Sequence, residues 1–276
     1  MASIGQIIFW SMIVLIFVMA GFIILLLAIA FSRSQSFVQS SDQSPVGNLG
    51  QDVVLNCKFN PKLITGMQTN DVSITWTKAG LTRPVYRYQN QAAQLQDQDP
   101  QFKGRTQLFP DAIAGGNASL LLQRVSMVDE GVYQCSVSAS GASGSVSIHL
   151  WVAAYSSPTF SRSMTTLTAE APRWFPKPNV TWTVYQGDVL NASTEFFNNS
   201  AGIFTVVSTL KLPAHTNETY TCVIENTLVV AVSQATLTGD SGLTASTDYS
   251  FNSATPSRRY LHLLLIAPLL YSYFLT

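Results

Sequence analysis

The sequence predicts an all-β chain built as two tandem two-layer sandwiches, with an apolar segment at each end, and three observations carry that prediction. The stretch Asp129-Glu130-Gly131-Val132-Tyr133-Gln134-Cys135 ends in Tyr-x-Cys, and far upstream Cys57 lies in the alternating apolar run Val53, Leu55, Cys57, Phe59. Between the two cysteines, Trp76 closes a second alternating run, Val72, Ile74, Trp76. The order then begins again, with Val180, Trp182, Val184 followed by Tyr220, Cys222, Ile224. Alternation of this kind buries one face of a strand and wets the other.

A Tyr two residues before a Cys, a second Cys in the facing sheet and an indole packed on the bridge between them mark an immunoglobulin-like sandwich. Two of these stand in tandem, the N-terminal one of variable type and the second constant-like. The first spans residues 44–152 after a polar, Ser/Gln-rich lead-in, and its disulfide joins Cys57 to Cys135, with Trp76 and Tyr133 in the core. The cysteines are 78 positions apart, a gap that must hold strands C, C′, C″, D and E, and this favours the variable type. Pro84-Val85-Tyr86-Arg87-Tyr88 suits C′, while Leu120, Leu122 and Val125 suit the inward face of E. The segment Ser140 to Gly144 turns F into G, where Val146, Ile148, Leu150 and Val152 alternate inward.

The second sandwich spans residues 153–238, with Trp182 and Tyr220 in its core. Its tighter spacing fits a seven-strand constant type. Strand B carries Leu167, Ala169 and Ala171, so the cysteine that would pair with Cys222 is missing. Cys222 is expected to be a buried free thiol, the competing reading being an intermolecular bridge. Sequons stand at Asn117, Asn179, Asn191, Asn198 and Asn217, candidate glycosylation sites of an extracellular chain.

Residues 1–30 form a signal peptide or a retained signal anchor. No charged side chain occurs from Met1 to Ser32, the apolar stretch is long for a signal, and Val18-Met19-Ala20 and Ala28-Ile29-Ala30 both offer small-x-small cleavage sites. Residues 239–259 have the Ser/Thr-rich composition of a stalk. Residues 260–276 form a hydrophobic segment, read as a lipid-anchor signal or a short transmembrane helix. No cytoplasmic tail is expected, so the chain would present a surface to another cell rather than signal inward. It is expected at the plasma membrane with both sandwiches outside.

The 276 residues suit two domains of about 100 each plus appendages. Only 11% of residues are charged, and the net charge is zero, so nothing points to nucleic acid or an anionic surface as a partner. The three histidines, His149, His215 and His262, fall in no metal-ligand or catalytic spacing. No enzyme activity, cofactor, metal or small-molecule substrate is expected.

Several stretches go beyond a generic pair of sandwiches. They are Met1 to Ser11, Glu170-Ala171-Pro172-Arg173-Trp174-Phe175-Pro176-Lys177-Pro178, Phe102 to Thr106, Gly116 to Leu120 and Thr219 to Asn226. These resemble the B-seven and butyrophilin group of co-signalling ligands in the immunoglobulin superfamily. The likeness covers the leader and both domains and fades in the C-terminal tail.

The resemblance implies a cell-surface co-inhibitory ligand that engages a receptor on T cells and lowers activation, proliferation and cytokine release. The alternative is an adhesion molecule without immune-modulating activity. It also implies an ion pair between Arg105 and Asp129, and binding through the sheet that carries G, F, C and C′. Alternation then names outward candidates: Thr75, Thr77, Gln134, Ser136 and Ser138, with Tyr86 or Tyr88 on C′ and the F–G turn at Ser140 and Gly141. Ala169 and the lipid-anchor-like tail depart from the group's pattern.

Overall fold

The computed structural model describes residues 4–32, 36–64, 71–163, 166–184, 188–210, 218–239 and 242–252. Helix α1 (Ile4–Ser32) is apolar on every side and carries no charge. Its stretch Phe9–Leu27 is long and apolar enough to cross a membrane, a test that a signal sequence also passes.

The first sandwich comprises β1 (Val38–Gln39), β2 (Val46–Asn48), β3 (Val53–Leu55), β4 (Lys58–Phe59), β5 (Ser73–Lys78), β6 (Tyr86–Gln89), β7 (Ala92–Ala93), β8 (Thr106–Gln107), β9 (Leu120–Leu122), β10 (Gly131–Ala139) and β11 (Ala142–Ala153). The front sheet has the order β2-β11-β10-β5-β6-β7, with β2 parallel to β11, and the back is built from β3-β9-β8 and the β1-β4 ladder. Cys57 and Cys135 are bridged between the layers. Closing so long a loop constrains the unfolded chain by about 4 to 5 kcal/mol in the entropic account. Trp76 lies opposite Cys135 in the β5–β10 register, fully buried, and its indole N–H donates to the Ala118 carbonyl at 3.0 Å. Where β4 passes the 116–119 stretch the backbones nearly touch: a Cβ at Gly116, whose φ is +90°, would lie 2.2 Å from the Phe59 carbonyl oxygen, so only glycine fits.

At the lower end, Arg105 forks onto Asp129 with two bonds of 2.8 Å, as the resemblance implied. Burial pushes the Asp129 carboxyl up. The bonds from Arg105, the Ser126 backbone and hydroxyl and the Gln101 amide outweigh it and hold the carboxyl at about 2. The Asp129 carbonyl also accepts the Tyr133 hydroxyl at 2.7 Å, pinning the turn into β10, and burial raises that phenol's pKa.

Register overturns three expectations here. Tyr86 and Tyr88 do not face outward: they pair with Trp76 and Ile74, and directly opposed residues share a face, so both rings turn into the core. The sandwich also begins before residue 44, because Val38 is buried and β1 pairs with β4. The F–G turn is tighter than Ser140 to Gly144, since Ala139 pairs with Ala142 and only Ser140 and Gly141 lie between.

The second sandwich comprises β12 (Thr159–Ser163), β13 (Thr166–Trp174), β14 (Asn179–Val184), β15 (Val189–Leu190), β16 (Ala192–Asn198), β17 (Phe204–Leu210), β18 (Thr219–Glu225), β19 (Val229–Thr238) and β20 (Gly242–Phe251). Its sheets run β12-β13-β17-β16 and β15-β14-β18-β19-β20. Leu167, Ala169, Ala171, Trp182, Tyr220 and Cys222 all lie in its core, as the alternation predicted.

Among the described residues nine strands replace the expected seven, and the last of them falls where a stalk was expected. Strand β20 pairs with β19 along its whole length, from Thr238 opposite Gly242 to Val229 opposite Phe251. Leu243 and Tyr249 pack on the core, and the Thr247 and Ser233 hydroxyls are bonded at 2.9 Å. A Ser/Thr-rich run reads as having little to bury, yet threonine suits a strand once a neighbour supplies the ladder. The domain therefore extends beyond residue 238. Residues 253–276, which include the hydrophobic C-terminal segment, lie outside the described residues.

The two sandwiches meet through backbone and side chain together. Ala154 and Phe175 exchange two backbone hydrogen bonds of 3.1 and 2.8 Å, and Asn48 bonds both polar groups of the Tyr155 backbone. Arg173 donates to the Leu49 carbonyl. The β20 strand closes over this joint: the Tyr249 and Phe251 rings lie 5.2 and 5.6 Å from the Tyr155 ring, and the Tyr249 hydroxyl is 2.8 Å from that of Ser157.

Candidate interaction surface

The outer face of the front sheet follows from what its inner face buries. Trp76 and Cys135 point inward, so their neighbours point outward, and the register aligns them in rows. Thr77, Gln134 and Ser147 form one row, Thr75, Ser136 and Ser145 the next, and Ser73, Ser138 and Ser143 the third. All are exposed or half-buried.

The two upper rows line a shallow depression of about 330 Å³, floored by Val137 and Gly144. The Gln134 amide donates to the Ser145 hydroxyl at 3.2 Å, and at the tip the Ser140 hydroxyl bonds the Asp71 carboxylate at 2.8 Å. Gly141 is exposed in the turn with φ of +80°.

The rows contain no ionised group. Hydroxyls can donate and accept, and covering them does not cost the desolvation of a charge. Such a surface can hydrogen-bond a partner, and it offers no nucleophile–base pair for chemistry. Charge appears at the margins, with Arg87 on β6 and Asp71 at the tip. At the lower end His149 stacks on Trp151 with the ring centres 4.0 Å apart.

Of the residues named from sequence, Thr75, Thr77, Gln134, Ser136, Ser138, Ser140 and Gly141 come together here. Tyr86 and Tyr88 do not, and Arg87 and Gln89 take the outward places on β6. Sequence reasoning left Ser73, Ser145 and Ser147 out of the contact candidates, although two-residue alternation from Trp76 and from Ile148 already turns all three outward.

The other predicted sites are dispersed. Asn179, Asn191 and Asn198 are exposed on the second sandwich. Asn117 is half-buried beside a separate concavity of about 630 Å³, and its side-chain oxygen accepts the Ser119 N–H. Asn217 and two of the three histidines, His215 and His262, lie outside the described residues. Cys222 is buried without a bridge, and burial pushes its thiol up to about 12, so it stays protonated.

Comparison with known proteins agrees with this architecture. The family described as Immunoglobulin V-set domain matches residues 40–152, and the one described as Butyrophilin subfamily 3 member A2-like, Ig-C domain matches 156–232. Strand β20 lies beyond both. The chain is 36% identical over 254 residues to human V-set domain-containing T-cell activation inhibitor 1, covering 89% of this chain and 86% of that protein. It is 35% identical over 246 residues to the Rattus norvegicus protein of the same name, covering 86% of each. Among solved structures, the human B7-H4 IgV-like domain is 32% identical, with 42% of this chain and 95% of that one covered and a TM-score of 0.38. These relatives are immunoglobulin-superfamily proteins without enzymatic activity, and this chain is likewise no enzyme. With two sandwiches in this order and likeness running through nearly the whole length of its relatives, the chain belongs to the family of V-set domain-containing T-cell activation inhibitors in the immunoglobulin superfamily.

Proposed function

We propose that this protein is a cell-surface co-inhibitory ligand. Its variable-type sandwich offers the hydroxyl-lined front sheet to a receptor on T cells, and engagement lowers activation, proliferation and cytokine production. The observation that carries this reading is the 36% identity, spread over 89% of the chain, with a human protein named for inhibiting T-cell activation. The charge-free rows around Ser136 support it, because a binding face gains from surface that is cheap to desolvate.

The chain reaches the cell exterior through its N-terminal apolar helix and is held at the plasma membrane by residues 260–276, as a lipid anchor or a single span. Glycans occupy Asn117, Asn179, Asn191, Asn198 and Asn217. Release from intact cells by a phosphatidylinositol-specific phospholipase identifies the lipid anchor, and full retention counts against it.

The functional test adds the soluble ectodomain to stimulated T cells. Dose-dependent loss of proliferation is the expected result. Unchanged proliferation together with cell clustering would overturn the reading in favour of adhesion.

A further inference from the structure

Strand β16 is the outermost strand of its sheet: all seven of its residues pair with β17 on one side, and no described strand pairs with the other. An open edge of that length is a template for another chain, and proteins blunt such edges with brevity, charge or a cover. The outer edges of the first sandwich are blunted by brevity, since β7, β8 and β1 have two residues each and β2 has three. In the second, β15 has two, β12 carries Arg162 and β20 carries Asp248.

Strand β16 has seven residues, and its outward face shows Ser193, Glu195 and Phe197, the last 56% exposed. The Lys177 ammonium lies 4.5 Å from the Phe196 ring and 6.0 Å from the Phe204 ring, on the neighbours of Phe197.

The two ends of this strand are each marked by a sequon. Asn191 is the single residue between β15 of one sheet and β16 of the other, and Asn198 is the last residue of β16. Both side chains are exposed. The two asparagines stand about 23 Å apart along an extended strand. An N-linked oligosaccharide is bulky and hydrated, so one at each end flanks the whole open ladder.

We infer that N-glycans on Asn191 and Asn198 guard the β16 edge against pairing with the same edge of a second copy of this chain. The modification thus adds to the single charge, Glu195, that β16 carries as β12 carries Arg162 and β20 carries Asp248, and it stands in for the brevity that protects the short edges.

The test compares full-length chain in detergent by sedimentation. The samples are wild type, Asn191→Gln/Asn198→Gln, Asn179→Gln as a one-glycan control, and the double variant with Phe197→Lys added. Folded wild type trimmed with an endoglycosidase, which leaves a single sugar on each still-neutral asparagine, reports the same loss without any folding step. The expected result is self-association at least about tenfold tighter for the double variant and the trimmed protein, no change for Asn179→Gln, and reversal by the lysine. The inference is overturned if mass spectrometry finds both asparagines bare in wild type. It is equally overturned if the double variant and the trimmed protein sediment as wild type does, or if Phe197→Lys leaves the association intact.

Discussion

Trp182 lies directly across from Cys222 in the β14–β18 ladder, the same register in which Trp76 faces Cys135 in the first sandwich. The second domain thus keeps the indole beside the sulfur while lacking the bridge. Its Trp182 N–H donates to the Ser208 hydroxyl at 2.8 Å, whereas Trp76 uses a backbone carbonyl. On the facing sheet, the place of the absent cysteine falls to Ala169, which is 1% exposed.

That arrangement makes Ala169→Cys a stabilising change. The new thiol is expected to bridge to Cys222 and to raise the melting temperature, by up to about 4 kcal/mol of stability in the chain-entropy account. Thermal melts with and without reductant, beside a thiol count, check it. Two free thiols after exposure to an oxidising buffer would mean that Ala169 does not occupy the bridging position.

Arg105→Ala should be costly. It leaves the Asp129 carboxylate, fully buried, with only the Ser126 and Gln101 bonds, and breaking such a pair costs about 3 to 5 kcal/mol. Denaturant unfolding reads this directly, and Arg105→Lys should recover only part of it, because an ammonium cannot fork onto both oxygens.

The same pair sets an acid sensitivity. The folded carboxyl titrates at about 2, below its ordinary value of about 3.9, so its contribution is complete above about pH 4 and is lost as pH falls toward 2. The linked loss is roughly 2.5 kcal/mol. Stability measured between pH 6 and pH 2 should therefore fall more steeply for wild type than for Arg105→Ala. Parallel curves would refute the assignment.

Tyr249→Ala should loosen the joint between the sandwiches without unfolding either. It removes the ring against Tyr155 and the bond to the Ser157 hydroxyl, both at the crossing from one domain to the other. Faster amide exchange at residues 155–157, with the Trp76 and Trp182 cores still protected, is the expected pattern. A global rise in exchange would show instead that β20 is part of the core's cooperative unit.

Ser136→Arg should separate binding from folding. Its side chain lies in the middle row of the front sheet, half-buried and facing out, so a long cation there fills the depression and must be desolvated by any partner. Binding to stimulated T cells should fall at least about tenfold, with the melting temperature within a degree or two of wild type. Unchanged binding would move the contact face elsewhere.

Much of the first sandwich was legible because its anchors are chemically unambiguous. Cys57, Trp76 and Cys135 can only face inward, and counting by twos from them places Thr75, Thr77, Gln134, Ser136 and Ser138 outward without any knowledge of neighbours. The C′ strand lacked such an anchor. Two tyrosines separated by one residue must share a face, but nothing local says which, and pairing with Ile74 and Trp76 decided it. Ser73, Ser145 and Ser147 are legible outward by the same count from Trp76 and Ile148, and what alignment of the three strands added was the rows they form.

What the sequence determined by itself was everything that rests on a period of two and on residue chemistry: two sandwiches in tandem, the bridge in the first, its absence in the second, and the indole and tyrosine beside each F-strand cysteine. What tertiary structure alone decided was which strand lies beside which, and hence the buried tyrosines of β6, the ninth strand drawn from a Ser/Thr-rich tail, and the open edge of β16. The reason is physical. A strand's alternation is written in its own residues, whereas its register and its edges are hydrogen bonds to chain that is distant in sequence.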